Sequence, residues 1–91
     1  MNKEIRMITL NRIKRCKLRI FEAEDEDWVN WKIVRANERA IEHYMKDYSK
    51  EQQRELNELI RWENDNCVFN LEKYGWKVIR EENKKWIIKK A

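Results

Sequence analysis

Nine cations near the two ends of the chain define the clearest chemistry by type and spacing. They are Arg6, Arg12, Lys14, Arg15, Lys17 and Arg19 at the start, and Lys77, Lys85 and Lys89 at the end. Guanidinium and ammonium groups gathered on one surface sum to a long-range positive field that attracts phosphates or an acidic protein patch. The competing use of such residues is to solvate a sheet face and blunt edge pairing. Residues 1–20 hold seven positive charges against Glu4 alone. Residues 21–30 hold Glu22, Glu24, Asp25, Glu26 and Asp27 and no base. Residues 77–91 hold six positives against Glu81 and Glu82, so the basic character of the chain belongs to its two ends.

Large aromatics are the second candidate. Trp28 and Trp31 fall on the polar side of a helix expected over residues 26–47. Trp62 and Phe69 fall off the main apolar stripe of a helical segment over residues 50–74. Trp is enriched in binding hot spots, so these four form a candidate hydrophobic interface. Their alternative role is to complete a thin core, because aromatic rings bury the most area per residue. Phe21 is the one aromatic expected on the basic face, where sheet-type RNA binders stack two or three bases.

Catalytic signals are sparse. His43 is the only histidine, and Asp47 four residues on is placed for a helix-surface hydrogen bond. His43, Cys16 and Cys67 have no metal-ligand spacing, and one glycine rules out a Gly-rich phosphate loop. Glu82 and Lys84 share an acid-x-Lys spacing but fall in an expected turn. No metal, cofactor or small-molecule substrate is expected. A toxin-type ribonuclease working through Lys and Arg alone is the remote enzymatic alternative.

The elements that must position these residues follow from periodicity. Residues 15–22 alternate polar and apolar, with Cys16, Leu18 and Ile20 on one side, which predicts a strand. Residues 4–10 are rich in β-formers and are its expected hairpin partner across a loop at 11–14. That register puts Arg6, Arg15, Lys17 and Arg19 on one face and Arg12 and Lys14 at the loop tip. The acidic run 22–27 then precedes a helix over 26–47, capped by Asp25 or Asp27. Its stripe is Val29, Ile33, Ala36, Ala40 and Tyr44, with Val34, Ile41 and Met45 beside it. Ser49 and Gln52 have capping-box spacing and start the next helix. That helix buries Leu56, Leu59, Ile60, Cys67, Leu71 and Tyr74, and the stretch Glu63–Asn66 can split it into 50–63 and 66–74. Gly75 is placed as the residue that ends it. Residues 76–89 read as a second hairpin turning at 82–84.

The expected fold is a small α+β two-layer domain spanning residues 1–91. An antiparallel sheet from an N-terminal and a C-terminal β-hairpin is covered by two or three helices, in the order ββ-α-α-(α)-ββ. No apolar run reaches the ~18 residues of a membrane-spanning helix, so no membrane partner is expected. Two cysteines without CxxC spacing, and a basic start without a long apolar stretch, predict reduced thiols and a cytoplasmic location. Twelve Lys, nine Asn and ten Ile against four Ala point to A/T-rich coding, as in a low-GC bacterium, phage or mobile element. The expected function is a non-catalytic intracellular binding protein, an inhibitor or modulator acting on a protein or nucleoprotein partner through its basic surface. Direct DNA or RNA binding through the same face is the alternative.

Overall fold

The computed structural model describes residues 3–25 and 27–81. Their order is β1 (Glu4–Arg6), α1 (Met7–Ala23), α2 (Trp31–Met45), α3 (Lys50–Leu59), α4 (Cys67–Lys73) and β2 (Lys77–Ile79). β1 and β2 pair in parallel, Glu4 opposite Lys77 and Arg6 opposite Ile79. The antiparallel two-hairpin sheet is therefore overturned: the described architecture is mainly helical, with one short parallel ribbon. Parallel strands need a long crossover, and here all four helices lie between them. The turn and second strand expected over 82–89 lie outside the described residues.

The N-terminal hairpin is replaced by α1, and the physical reason is visible in its buried side. Leu10, Ile13 and Cys16 are buried at three-residue spacing, with Met7 and Ile20 half-buried on the same stripe. Lys14 and Lys17 interrupt this stripe, so the sequence presents the alternation of a strand rather than an apolar helix face. Their aliphatic stems lie against the protein: the Lys14 side chain is only 18% exposed. Long cationic side chains can cover apolar surface in this way while the charged head reaches a polar partner.

α2 starts at Trp31, with the Asn30 side chain accepting from the Ile33 N–H. Asp25 and Asp27 do not cap it. The acidic residues sit instead in the turn joining α1 to α2, which is closed by Asn30 N–H donating to the Ala23 carbonyl at 3.0 Å and by a Glu24–Val29 bridge. α2 buries Val34, Asn37 and Met45, whereas Ile33 and Ala36 of the expected stripe are exposed. Asn37 keeps its amide satisfied by donating to the Ile33 carbonyl at 2.8 Å. The Ser49–Gln52 capping box forms in both directions. The helical segment 50–74 is split, as α3 and α4, and Cys67 closes the intervening turn: its Sγ accepts from Arg61 N–H and donates to Arg61 O, each at 3.0 Å.

The core joins Ile5 of β1, Leu10 and Ile13 of α1, Met45, Leu56, Ile60, Leu71 and Trp76. Only the first half of α1 and the last turn of α2 contribute fully buried residues to it, so the α1–α2 connection lies outside this cluster. Trp76 is 2% exposed, and its Nε1 donates to Glu55 Oε1 at 2.6 Å. The same oxygen accepts from Lys3 Nζ at 2.8 Å, and Lys3 Nζ also donates to the Tyr74 carbonyl, the C-cap of α4. Gly75 has φ +89° and stops α4 at the one position where its missing Cβ is required.

Two stability predictions follow. A Cβ at residue 75 would meet nothing nearer than Lys3 Nζ at 4.0 Å, so the strain of Gly75→Ala is conformational. The substitution is expected to destabilise by about 1–2 kcal/mol, read from the urea midpoint. The Lys3 hydrogen bond, followed by that of Trp76, holds the Glu55 carboxyl below its ordinary value against the opposing effect of burial. A carboxyl whose value is depressed by folding contributes stability above its unfolded value and loses it as pH falls through the folded one. Glu55→Gln should therefore flatten the fall in stability of the native protein below about pH 4.5, measured by urea unfolding across that range.

Candidate nucleic-acid or protein interface

α1 sorts the N-terminal cations onto different sides. Arg12, Arg15 and Arg19 recur at i, i+3 and i+7 and are all exposed, forming one row that rises about 10 Å along the helix. Arg12 stands over the Tyr44 ring of α2 at 5.9 Å, a cation–π distance, and the His43 ring meets Tyr44 edge-on at 5.8 Å. His43 therefore packs on Tyr44 and does not hydrogen-bond to Asp47, because α2 ends at Met45. Arg19 shares a shallow groove with Glu22, Ala23 and Ile33. Arg15 and Arg19 form no ion pair with any described residue.

The lysines of α1 go elsewhere. Lys17 Nζ donates to the Asn57 carbonyl at 3.0 Å, one of the free carbonyls in the last turn of α3. Burial, then the nearby Arg61 charge, pulls the Lys17 ammonium below its ordinary value, with Cys67 opposing. Lys14 Nζ donates to the Asn64 carbonyl at 3.3 Å and lies 3.8 Å from Asp65 Oδ1. Both lysines thus tie α1 to α3 and the turn that follows it. Arg6 pairs with Glu81 across the β1–β2 ribbon. Lys77 is exposed in β2. Lys85 and Lys89 lie outside the described residues.

No continuous basic sheet face exists among the described residues, because residues 7–23 are helical. Arg12, Arg15 and Arg19 are brought together; Arg6, Lys14 and Lys17 are held in internal contacts. Cys16 lies under the arginine row, and burial pushes its thiol up while Arg19 and Arg15 pull it down. Cys16 and Cys67 are both buried and free.

Of the aromatic candidates, Trp28 and Trp31 are 67% and 60% exposed, and Phe69 on α4 is 68% exposed. Trp62 is half-buried and stacks on Phe21 with ring centroids 4.5 Å apart. Phe21, Trp28 and Trp31 place exposed apolar surface around the α1–α2 connection, while exposed Ile33 lies in the Arg19 groove. A groove between the two helices, lined by Ile20, Val34, Ile41, Trp31, Glu24 and Glu38 along with Lys17, was not anticipated. Its signal in the sequence is the run Trp31, Val34, Glu38, Ile41, spaced by three, four and three, which places all four on one side of α2.

Comparison of the chain with models of protein families, with curated proteins and with solved structures gives no significant match. No group of three His, Cys, Asp or Glu that could hold a metal ion is found among the described residues. No helix among them is long and apolar enough to cross a membrane.

The division between structural lysines and solvent arginines is measurable. Lys17→Ala removes a charged donor from a helix C-terminus and is expected to cost about 1 kcal/mol. Arg15→Ala and Arg19→Ala should each stay within about 0.5 kcal/mol of the parent. Chemical unfolding of the three variants checks both statements.

Proposed function

We propose that the chain is a small non-catalytic binding protein of the cytoplasm. It modulates a larger macromolecular partner by laying the solvent face of α1 against an acidic patch of that partner. The observation that carries this reading is the row Arg12, Arg15 and Arg19, three exposed guanidinium groups on one face of a helix whose opposite face is buried. A guanidinium presents a planar fork of donors that fits a carboxylate two bonds at a time, and its charge persists at every physiological pH. The row runs beside the Ile33–Tyr44 edge of α2, so apolar contact is available next to the charges. Two free thiols accord with a reducing compartment.

Direct nucleic-acid binding is the second reading, favoured by the same row because phosphates are equally good guanidinium acceptors. Salt separates the two. Neutralising three phosphates on a duplex predicts a log–log slope of affinity against salt near about −3. Under the protein-partner reading, neither duplex DNA nor single-stranded RNA is retained at about 50 mM salt.

The decisive variant is Arg12→Glu, Arg15→Glu and Arg19→Glu together, leaving Lys14 and Lys17 in place because their loss would disturb the packing of α1. The triple variant is expected to fold with the parent's circular-dichroism spectrum. It should lose the acidic partners that the parent retains in quantitative pull-downs from the native host. Retention of the same partners at undiminished yield removes the α1 face from the proposal.

A further inference from the structure

The turn between α1 and α2 carries charges where they work against folding. Glu22 lies in the last turn of α1 and Glu24 is its C-cap, so both carboxylates meet the negative end of the helix dipole. Asp25 and Asp27 follow, while the first turn of α2, where acids would be favourable, contains none. Glu22, Glu24, Asp27 and Glu38 form no ion pair with any described residue. Interleaved with them are the exposed side chains Phe21, Trp28 and Trp31, three of the six large apolar residues exposed among those described. Apolar surface concentrated at one corner marks a contact site, whereas isolated exposed residues need no explanation.

A groove of about 470 Å³ opens at this corner between α1 and α2, within the ~300–1,000 Å³ typical of ligand sites. Ile20, Val34 and Ile41 give it an aliphatic floor, and Trp31, Glu24 and Glu38 complete the binding wall. Lys17 is the one cation that lines it, and its ammonium is engaged by the Asn57 carbonyl at 3.0 Å. Lys32, Arg35 and Arg39, the Lys and Arg residues of α2, do not line it.

We propose that this groove binds a lysine or arginine side chain presented by a basic segment of a partner protein. An aliphatic stem followed by a cationic head matches the groove in order: the stem lies on Ile20, Val34 and Ile41, and the head meets the carboxylates of Glu24 and Glu38. The Trp31 indole face adds a cation–π contact, and Trp28 gives apolar contact to the residues flanking the bound side chain. Phosphate is repelled by the unpaired carboxylates, so the site selects a basic protein segment over nucleic acid. It is independent of the arginine row, which selects the opposite charge and whose Arg19 lines a different groove.

The test uses the full chain labelled with ¹⁵N and a capped octapeptide of alternating arginine and alanine, at about 50 mM salt so that screening is weak. A glutamate–alanine octapeptide is the control. Among the five indole N–H signals, that of Trp31 should move furthest. Glu24→Gln with Glu38→Gln should weaken the arginine peptide about fivefold, as expected for two exposed ion pairs. Trp31→Ala should weaken it further, and Arg12→Glu, Arg15→Glu, Arg19→Glu should leave it bound. If Trp31→Ala does not fold, the glutamine pair, which preserves side-chain size, still decides the question. Equal affinity in the glutamine variant, equal binding of the glutamate peptide, indole shifts centred away from Trp31, or no binding at millimolar peptide would each overturn the proposal.

Discussion

The Trp76 indole is the interaction on which the rest of the fold depends. It is buried between β2 and the helices, and a buried indole N–H without an acceptor would cost a full desolvation penalty. Glu55 supplies that acceptor, and Lys3 then holds Glu55 in place while closing the end of α4. Tyr48 packs edge-on to the same ring at 5.6 Å and donates its hydroxyl to the Glu4 carbonyl at 2.9 Å. One large side chain thereby fixes β1, the α2–α3 connection, α3 and β2 relative to one another. In a chain this short, where little surface can be buried, such a joint substitutes for a thicker core.

A second constraint is the satisfaction of helix ends. Lys3 and Lys17 each direct an ammonium to a backbone carbonyl at the end of a helix, and Lys14 directs one to the Asn64 carbonyl in the turn between α3 and α4. A flexible stem with a compact point charge suits that task, because it can follow an irregular terminus. The arginines of α1 stay in solvent, and their fixed fork suits recognition of an external anion. Folding thus takes up part of the basic charge at the start of the chain and leaves a narrow row in place of a broad positive face.

The α1–α2 pair divides along its length. Its end near the core contributes Leu10, Ile13 and Met45 to the main cluster, while its far end exposes two indoles, a phenyl ring and the carboxylates Glu22, Glu24 and Asp27, which form no ion pair with any described residue. An arginine row and an acidic aromatic groove on one helical pair have opposite charge preferences. Such an arrangement suits contact with a partner that itself presents both signs, as a protein surface or a nucleoprotein does.

Local signals in the sequence determined local structure. Ser49 with Gln52 set the start of α3 and Gly75 the end of α4, because each acts through hydrogen bonds and dihedrals within a few residues; the break between the two helices runs over 60–66, so α3 stops at Leu59, four residues short of the expected 63. The exposure of Trp28 and Trp31 was not decided by the wheel, which left a core role open to both; Trp28 lies in the turn before α2 and Trp31 on its first turn. Tertiary structure decided the identity of α1. Alternation around Cys16, Leu18 and Ile20 fits a strand, and only the carbonyls of Asn57 and Asn64 reveal why lysines occupy a buried helix face. It also decided the sheet, because pairing Glu4 with Lys77 joins residues from the two ends of the described chain, and no short-range pattern encodes that contact. The basic surface followed the same rule: residue types were fixed by the sequence, but which cations face solvent depended on which helix ends the chain brought within their reach.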